Sequence, residues 1–590
     1  MIAATTTAHT VRETFIDGSD ASAIGAESMA RSLEGVVEPV LPTPILRNIP
    51  ILVAMSANRK VPARAPLMRP HIYSRRGGVA SRQPLAASAG VELLSRGGSA
   101  VDAAIAASAV LAVIEPGDSH LGGDLFAIHH SAKDRKTIAI NGSGEAPHNA
   151  FPSEFSNGIP LHGYKAATVP GLVSGWFAVH ELWGRRPMAE ILTPAIRLAR
   201  EGFPATPGLT RRITHHIKNF PETKVFDVMQ LATDLERGDV IRLPDLASSL
   251  EEIAKNGRDA FYRGAIAERI VAATSGWFSL DDLARHHTRI EPPLTAKYRD
   301  QIIHAQPPPS QGMILATEML LADRMELASM SEVDRIHFLV EAKKIGFADR
   351  YRTLGDSDET LSEVERVLSR DHISKRLSEI DMSRARLESL DTIEGSDTTY
   401  LLAVDEEGNA ISWIQSVFHG FGASFAIDGT GILLNNRLTG FSLDPASPNF
   451  IAPGKRPAHT LNAFIVTHAD GSLHLVSGTP GANIQVQTNA QVISAVIDLG
   501  MSAQEAVEAP RWQHLVAPAE SAGVEGYSGH LQLESRFEPE TIEGLRRKGH
   551  DVSAISPLGH GSAVQLLRVL PNGTFEFGSD PRCEGLAIGL

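Results

Sequence analysis

Ser396-Asp397-Thr398-Thr399-Tyr400-Leu401-Leu402-Ala403-Val404-Asp405-Glu406-Glu407-Gly408-Asn409-Ala410-Ile411-Ser412-Trp413-Ile414-Gln415-Ser416 is the stretch on which the fold turns. Before it the apolar spacing is mostly helical. From Thr398 the period changes to two, the signature of strands with one face buried. Residues 398–404 and 410–417 read as two strands around a polar turn ending in Gly408-Asn409. A three-residue loop with glycine in the left-handed place at its third position is a common hairpin closure. With Glu406-Glu407-Gly408 as that loop, Asp405 faces Asn409 and Thr398 stands opposite Ser416. A slip of one residue turns the Thr398 hydroxyl to the other face, so the register is a definite expectation.

Working outward, residues 1–76 read as an N-terminal extension, expected to be partly ordered at best. The start is rich in Thr and Ala, and Pro39, Pro42, Pro44, Pro50, Pro62, Pro66 and Pro70 interrupt any helix. Compact sequence begins near Gly77. Residues 86–94 and 100–113 are small-residue apolar helices separated by Arg96-Gly97-Gly98-Ser99; Asp102 lies in the first turn of the second, and Pro116-Gly117 stops it. Residues 126–130 and 137–141 read as strands, and residues 171–182, 188–201, 246–256, 266–274 and 332–350 as helices. Beyond the hairpin, strands are expected at 431–434, 463–468 and 473–477. A helix at 485–499 carries Val486, Ala490, Ile493 and Ile497 on one stripe.

Composition excludes several classes. The 590 residues carry a net charge of −14, which disfavours nucleic acid as a partner. The single cysteine, Cys583, excludes an intramolecular disulfide framework and a cysteine-based zinc site. No run approaches the eighteen or so apolar residues of a membrane span, and residues 49–57 are too short to cross and too far in for a usual signal peptide. We therefore expect a soluble, cytoplasmic protein with no membrane partner. There is no G-x-S-x-G elbow, no Walker A loop and no H-E-x-x-H. His129-His130, His215-His216 and His286-His287 are adjacent pairs whose members point apart, so neither a metal nor another cofactor is expected.

The hairpin, together with residues 454–462 (GKRPAHTLN) and 477–483 (SGTPGAN), resembles the γ-glutamyltransferase family of N-terminal-nucleophile hydrolases. The resemblance runs from about Gly77 to the C-terminus through residues 97–116, HLGGDLFAI at 120–128, ATVPG at 167–171, GILLNN at 431–436 and SDPR at 579–582. It implies an α+β fold of four αββα layers, and a precursor that cuts its own chain between Asp397 and Thr398. The large portion is then 77–397 and the small portion 398–590, associated after the cut. A Thr hydroxyl is a weak nucleophile and needs a base beside it. Cleavage gives Thr398 a free α-amine, a group with a reference pKa near ~8, which can serve its own Oγ. Ser416 matches the position whose hydroxyl bonds the nucleophile. Gly481 and Ala482 match the oxyanion loop, with alanine in place of the second glycine.

Substrate recognition departs from the family pattern. Ser143 stands where an Arg usually holds the γ-glutamyl α-carboxylate, and Gly440 where an Asp holds the α-amine. Phe418 replaces an Asn, His459-Thr460 replaces a Ser pair, and residues 443–455 are too few for the long lid of some members. The Asn-Asn-Arg and Pro-Ala-His-Thr-Leu-Asn segments resemble the oxamate amidohydrolase and acylase-like branch. There Arg437, His459 and Thr460 become candidate donors for a carboxylate lacking an adjacent amine. The leading reading is an amidohydrolase or acyltransferase acting on a small carboxylate-bearing amide. Glutathione hydrolysis or γ-glutamyl transfer is the alternative. A non-catalytic family member is a third, against which the Thr398-Thr399 pair, Ser416 and the glycine loop count.

Overall fold

The hairpin forms in the register its three-residue loop imposes. Strands Asp397–Val404 and Ala410–Phe418 pair antiparallel, with Val404 opposite Ala410, Tyr400 opposite Ile414 and Thr399 opposite Gln415. Gly408 closes the loop in the left-handed region at φ 86°, where a side chain is strained. The Asp405 carboxylate braces the turn by accepting the Glu407 and Asn409 amides at 3.1 and 3.0 Å. The ladder then slips once. Asp397 lies opposite Phe418, so the second strand sets two residues, Ser416 and Val417, against Thr398. A bulge of this kind bends the strand and re-aims the side chains beside it.

The computed structural model describes residues 67–386, 397–515 and 529–590. Most of the expected extension (residues 1–66) and the segment leading to the expected cut (387–396) lie outside the described residues. The last part of that extension is ordered. Ile72–Ser74 is an edge strand paired with Phe575–Ser579, and the Met68 and Arg69 amides bond the Glu508 carboxylate at 2.7 and 2.9 Å. A three-residue strand whose partner is about 500 residues away leaves no local signal to read.

Two seven-stranded antiparallel sheets carry the fold. One runs Leu586–Gly589, Gly78–Ser81, Asp397–Val404, Ala410–Phe418, Asp124–Ser131, Lys136–Asn141, Arg289–Glu291. The other runs Ile72–Ser74, Phe575–Ser579, Gln565–Val569, Leu473–Gly478, Phe464–His468, Gln301–Ala305, Leu294–Tyr298. Both sheets draw strands from either side of residue 397. Between them lies an apolar layer of Phe126, Tyr400, Leu402 and Ile414 from one sheet, and Ile465, Val476, Leu567 and Phe577 from the other. The alternate residues Leu401 and Ala403 face the helices Pro84–Ser95 and Ala100–Ile114. Every residue of Ala100–Ile114 is buried, and its alanines let the helix axes approach closely. Ser99 and Asp102 cap it reciprocally. Gly312–Ala322, Glu332–Thr353 and Ile484–Ile497 cover the second sheet. The architecture is the expected α+β sandwich of four αββα layers. Among the described residues no helix is long and apolar enough to cross a membrane.

Candidate active site

Thr398 is 3% exposed, at one end of the layer between the sheets. Its Oγ donates to Ser416 Oγ at 3.3 Å, and the Phe418 amide donates to the same Ser416 oxygen at 2.8 Å. The strand Gly78–Ser81 ends before it can pair with Thr398. The guanidinium of Arg82 takes over, donating from Nη1 to the Thr398 carbonyl at 2.9 Å. Arg82 is held in turn by Asp118 at 3.1 Å and Glu115 at 3.9 Å. Thr399 points the other way and donates to Glu115 Oε2 at 2.9 Å. Burial raises the Glu115 carboxyl above its usual range, against the pull of Arg82. Strand alternation thus tethers the second threonine to the helical layer and leaves the first facing Ser416.

The turn from Leu473–Gly478 into the helix Ile484–Ile497 holds Gly481 at φ 120° and Ala482 at φ 45°. A Cβ on Gly481 would lie 2.5 Å from Ile484, so glycine is required there. Ala482 accepts the left-handed conformation that L-residues avoid, and Gln311 Nε2 holds its carbonyl at 3.0 Å. Neither the Gly481 nor the Ala482 N–H donates to an acceptor among the described residues. These two amides immediately precede a fourteen-residue helix, an arrangement that suits an anion. Gly478 packs against the Tyr400 ring, which sets this loop beside the nucleophile strand.

Arg437 opens a short 3-10 turn, and its amide donates to Asn435 Oδ1 at 2.9 Å. Its side chain is fully buried. Nε donates to Asp124 Oδ2 at 3.0 Å, whereas Nη1 and Nη2 have no hydrogen-bond partner among the described residues. The guanidinium lies 3.9 Å over the Phe418 ring. Phe418 itself sits at φ 84°, a strained conformation for a bulky residue. Burial lowers the Arg437 pKa to about 10, with the Asp124 charge opposing, so the side chain stays a cation near neutrality.

His459 is placed differently from the expectation that it donates to a substrate. Its Nε2 lies 3.2 Å from Asp124 Oδ2, and its Nδ1 accepts the Leu461 amide at 3.3 Å. That pattern puts the ring proton on Nε2 and engages both nitrogens within the protein. Burial, reinforced by the Arg437 charge, lowers its pKa to about 4, so the ring is neutral. Thr460 is buried with its carbonyl held by Gln311 at 2.7 Å; its hydroxyl makes no hydrogen bond among the described residues. Ser143 is turned onto Asn141 Oδ1 at 2.7 Å.

No motif reading singles out Asp124, Arg82 or Glu115, although Asp124 lies inside the HLGGDLFAI stretch. Its signal is an acidic residue at the start of an apolar strand. Away from this site, His337, Glu341 and His550 bring ligand-type atoms within 4.8 Å of one another. These donors engage one another and their neighbours: His337 with His550 and with the Asp381 carbonyl, each at 2.8 Å, and Glu341 with Lys344 at 2.9 Å. The trio joins residues more than 200 positions apart, which no reading of adjacent histidine pairs reaches.

The Gamma-glutamyltranspeptidase family model matches residues 86–590. The chain is 34% identical over 529 residues to the "Glutathione hydrolase-like YwrD proenzyme" of Bacillus subtilis (strain 168), covering 87% of this chain and 98% of the relative. It is 34% identical over 522 residues to the "Oxamate amidohydrolase proenzyme" of Klebsiella pneumoniae subsp. pneumoniae, covering 86% and 97%. The crystal structure of cephalosporin acylase from Bacillus halodurans superposes with a TM-score of 0.82 at 30% identity, covering 91% of this chain and 99% of the acylase. The chain belongs to the gamma-glutamyltranspeptidase family. It is an enzyme of that family, with the N-terminal-nucleophile hydrolase fold.

Proposed function

We propose that the protein is an autoprocessed amidohydrolase or acyltransferase in which Thr398 attacks a small amide bearing a carboxylate on its acyl part. The observation that carries the substrate class is the buried Arg437 cation, whose Nη1 and Nη2 have no acceptor among the described residues. An unpaired buried guanidinium costs several kcal/mol or so, and an incoming carboxylate offsets that by a bidentate pair. In maturation, Thr398 Oγ attacks the Asp397 carbonyl carbon, the peptide C–N bond breaks, and an ester forms. Water cleaves that ester, leaving the Asp397 carboxylate and a free Thr398 α-amine. A large portion ending at Asp397 and a small portion, 398–590, stay associated because both sheets contain strands from each.

In turnover the α-amine accepts the Oγ proton as Oγ attacks the substrate amide. The Gly481 and Ala482 amides face the developing oxyanion. Ser416 holds Oγ in line, and the Thr460 hydroxyl adds a donor near the acyl part. The amine leaves with a proton, and water or a second amine resolves the acyl ester. A cytoplasmic location is part of the proposal and rests on the single cysteine.

The second reading is hydrolysis or transfer from glutathione, favoured by the similarity to a glutathione hydrolase-like relative. Against it stands the state of Asp124, whose carboxylate is taken up by Arg437, His459 and the Gly144 amide and so is not free for a substrate ammonium. Ammonia release from oxamate and other short carboxy-amides, measured beside hydrolysis of a γ-glutamyl anilide, separates the two. Preference for the carboxy-amides supports the proposal, and strong preference for the anilide overturns it.

A further inference from the structure

A guanidinium has two hydrogen-bonding edges, and its usefulness to a ligand depends on which one faces the ligand. Arg437 presents its Nε to protein and leaves the Nη1/Nη2 edge open. The group that decides this is Asp124. It begins the strand Asp124–Ser131, directly opposite Ser416 in the ladder, so it lies one strand away from the nucleophile's partner. It is fully buried. Oδ2 accepts Arg437 Nε at 3.0 Å and His459 Nε2 at 3.2 Å; Oδ1 accepts the Gly144 amide at 3.1 Å. Three donors from separate segments therefore fix the carboxylate plane. Phe418 fixes the remaining freedom of the guanidinium by covering one face at 3.9 Å.

Resting on the proposed function, we infer that Asp124 is a positioning residue that sets the acyl-chain specificity of the site. It holds Arg437 so that its open edge receives a carboxylate, and its own oxygens are too fully engaged to receive an ammonium. The acyl group selected carries a carboxylate and no adjacent amine. Asp124 and Arg437 balance as a charge pair while neutral His459 adds none, so one further anion finds an open donor edge. A zwitterionic amino-acid end brings a cation for which the pair offers no acceptor.

Three p-nitroanilides that differ by one group at a time test this. The γ-glutamyl compound has carboxylate and amine, the glutaryl compound has the carboxylate alone, and the butyryl compound has neither. For the wild-type enzyme, kcat/KM is expected to rank glutaryl above both others. In Asp124→Asn the glutaryl-to-butyryl ratio is expected to fall about 100-fold, carried by KM rather than kcat, as loss of an aligned charged contact requires. Should the buried Arg437 charge prevent Asp124→Asn from folding, the double variant Asp124→Asn/Arg437→Met removes that charge, and its ratio is expected to approach one. A wild-type carboxylate preference that survives intact in Asp124→Asn overturns the role of Asp124 and leaves the proposed function standing; where only the double variant folds, survival there overturns Arg437 as the carboxylate site and with it both the inference and the substrate class of the proposed function. Absence of any glutaryl preference in the wild type overturns both. A wild type preferring the γ-glutamyl compound while Asp124→Asn lowers that preference equally retains positioning but refutes the exclusion of the amine, and so overturns the inference as stated.

Discussion

Thr398 and Ser416 meet hydroxyl to hydroxyl at 3.3 Å at the step where the hairpin ladder slips. The same slip carries Phe418 into the left-handed region and places its ring against Arg437. One bulge therefore couples the Thr398–Ser416 contact to the buried Arg437 cation. Removing the Ser416 hydroxyl in Ser416→Ala is expected to slow both self-cleavage and turnover about 10- to 100-fold, the worth of one hydrogen bond to a group developing charge. Ser416→Thr keeps the hydroxyl and is expected to retain most activity. Single-turnover rates and the time course of cleavage on denaturing gels check this.

The turn before the helix Ile484–Ile497 makes a sharper demand at 481 than at 482. Gly481→Ala brings a Cβ to 2.5 Å from Ile484 at φ 120°, so kcat is expected to fall at least ~100-fold as the turn shifts. Ala482→Gly relieves an L-residue held at φ 45° while keeping its N–H. It is expected to keep kcat within about threefold and change stability by no more than ~1 kcal/mol. Steady-state kinetics and urea melts of the two variants distinguish these outcomes.

Arg82 completes the ladder with a side chain where backbone pairing stops. In Arg82→Met the Thr398 carbonyl loses its donor and Glu115 its nearest counter-charge, while Asp118 keeps its pair with Arg212. Slower maturation is expected, by about tenfold, with the lag visible as persistent uncut chain after expression. Arg82→Lys restores the charge without the reach of the fork and is expected to fall between.

Buried neutral histidines make the fold acid-sensitive. Burial holds His120, His129 and His550 down to about 3, and His130, His216 and His459 to about 4. The unfolded chain protonates near 6.5, while these folded-state rings stay neutral. Between about pH 6.5 and 4 the unfolded state therefore binds more protons, and stability is lost as pH falls. Each ring contributes on the order of 1 kcal/mol per pH unit in that window. Melting temperatures should be highest at neutral pH or above and fall steadily below 6.5; a flat profile down to pH 4.5 contradicts this.

The hairpin was legible because its determinants are local: a period-two pattern, a left-handed glycine and an Asp that braces its own turn. The long helix beginning at Glu332 and the one beginning at Ile484 were legible in the same way. Gly312–Ala322 was not, because it is buried nearly all round and carries no polar stripe to give it a period. The edge strand Ile72–Ser74 and the last strand, Leu586–Gly589, depend on partners far along the chain. In the site, Arg437 has two nitrogens without a partner among the described residues. His459 did not keep the expected role, since nothing in its neighbours along the chain reveals that Asp124, 335 residues away, engages its ring. Tertiary pairing decides that, and no local pattern records it.

The central claim is that Thr398 becomes a chain terminus. Denaturing electrophoresis of the purified protein, with intact mass measurement of each band, tests it most directly. Two fragments are expected, the smaller beginning at Thr398 and ending at Leu590, and Thr398→Ala is expected to give one uncut chain. A wild-type protein that stays a single chain, or is cut anywhere other than between Asp397 and Thr398, contradicts the account.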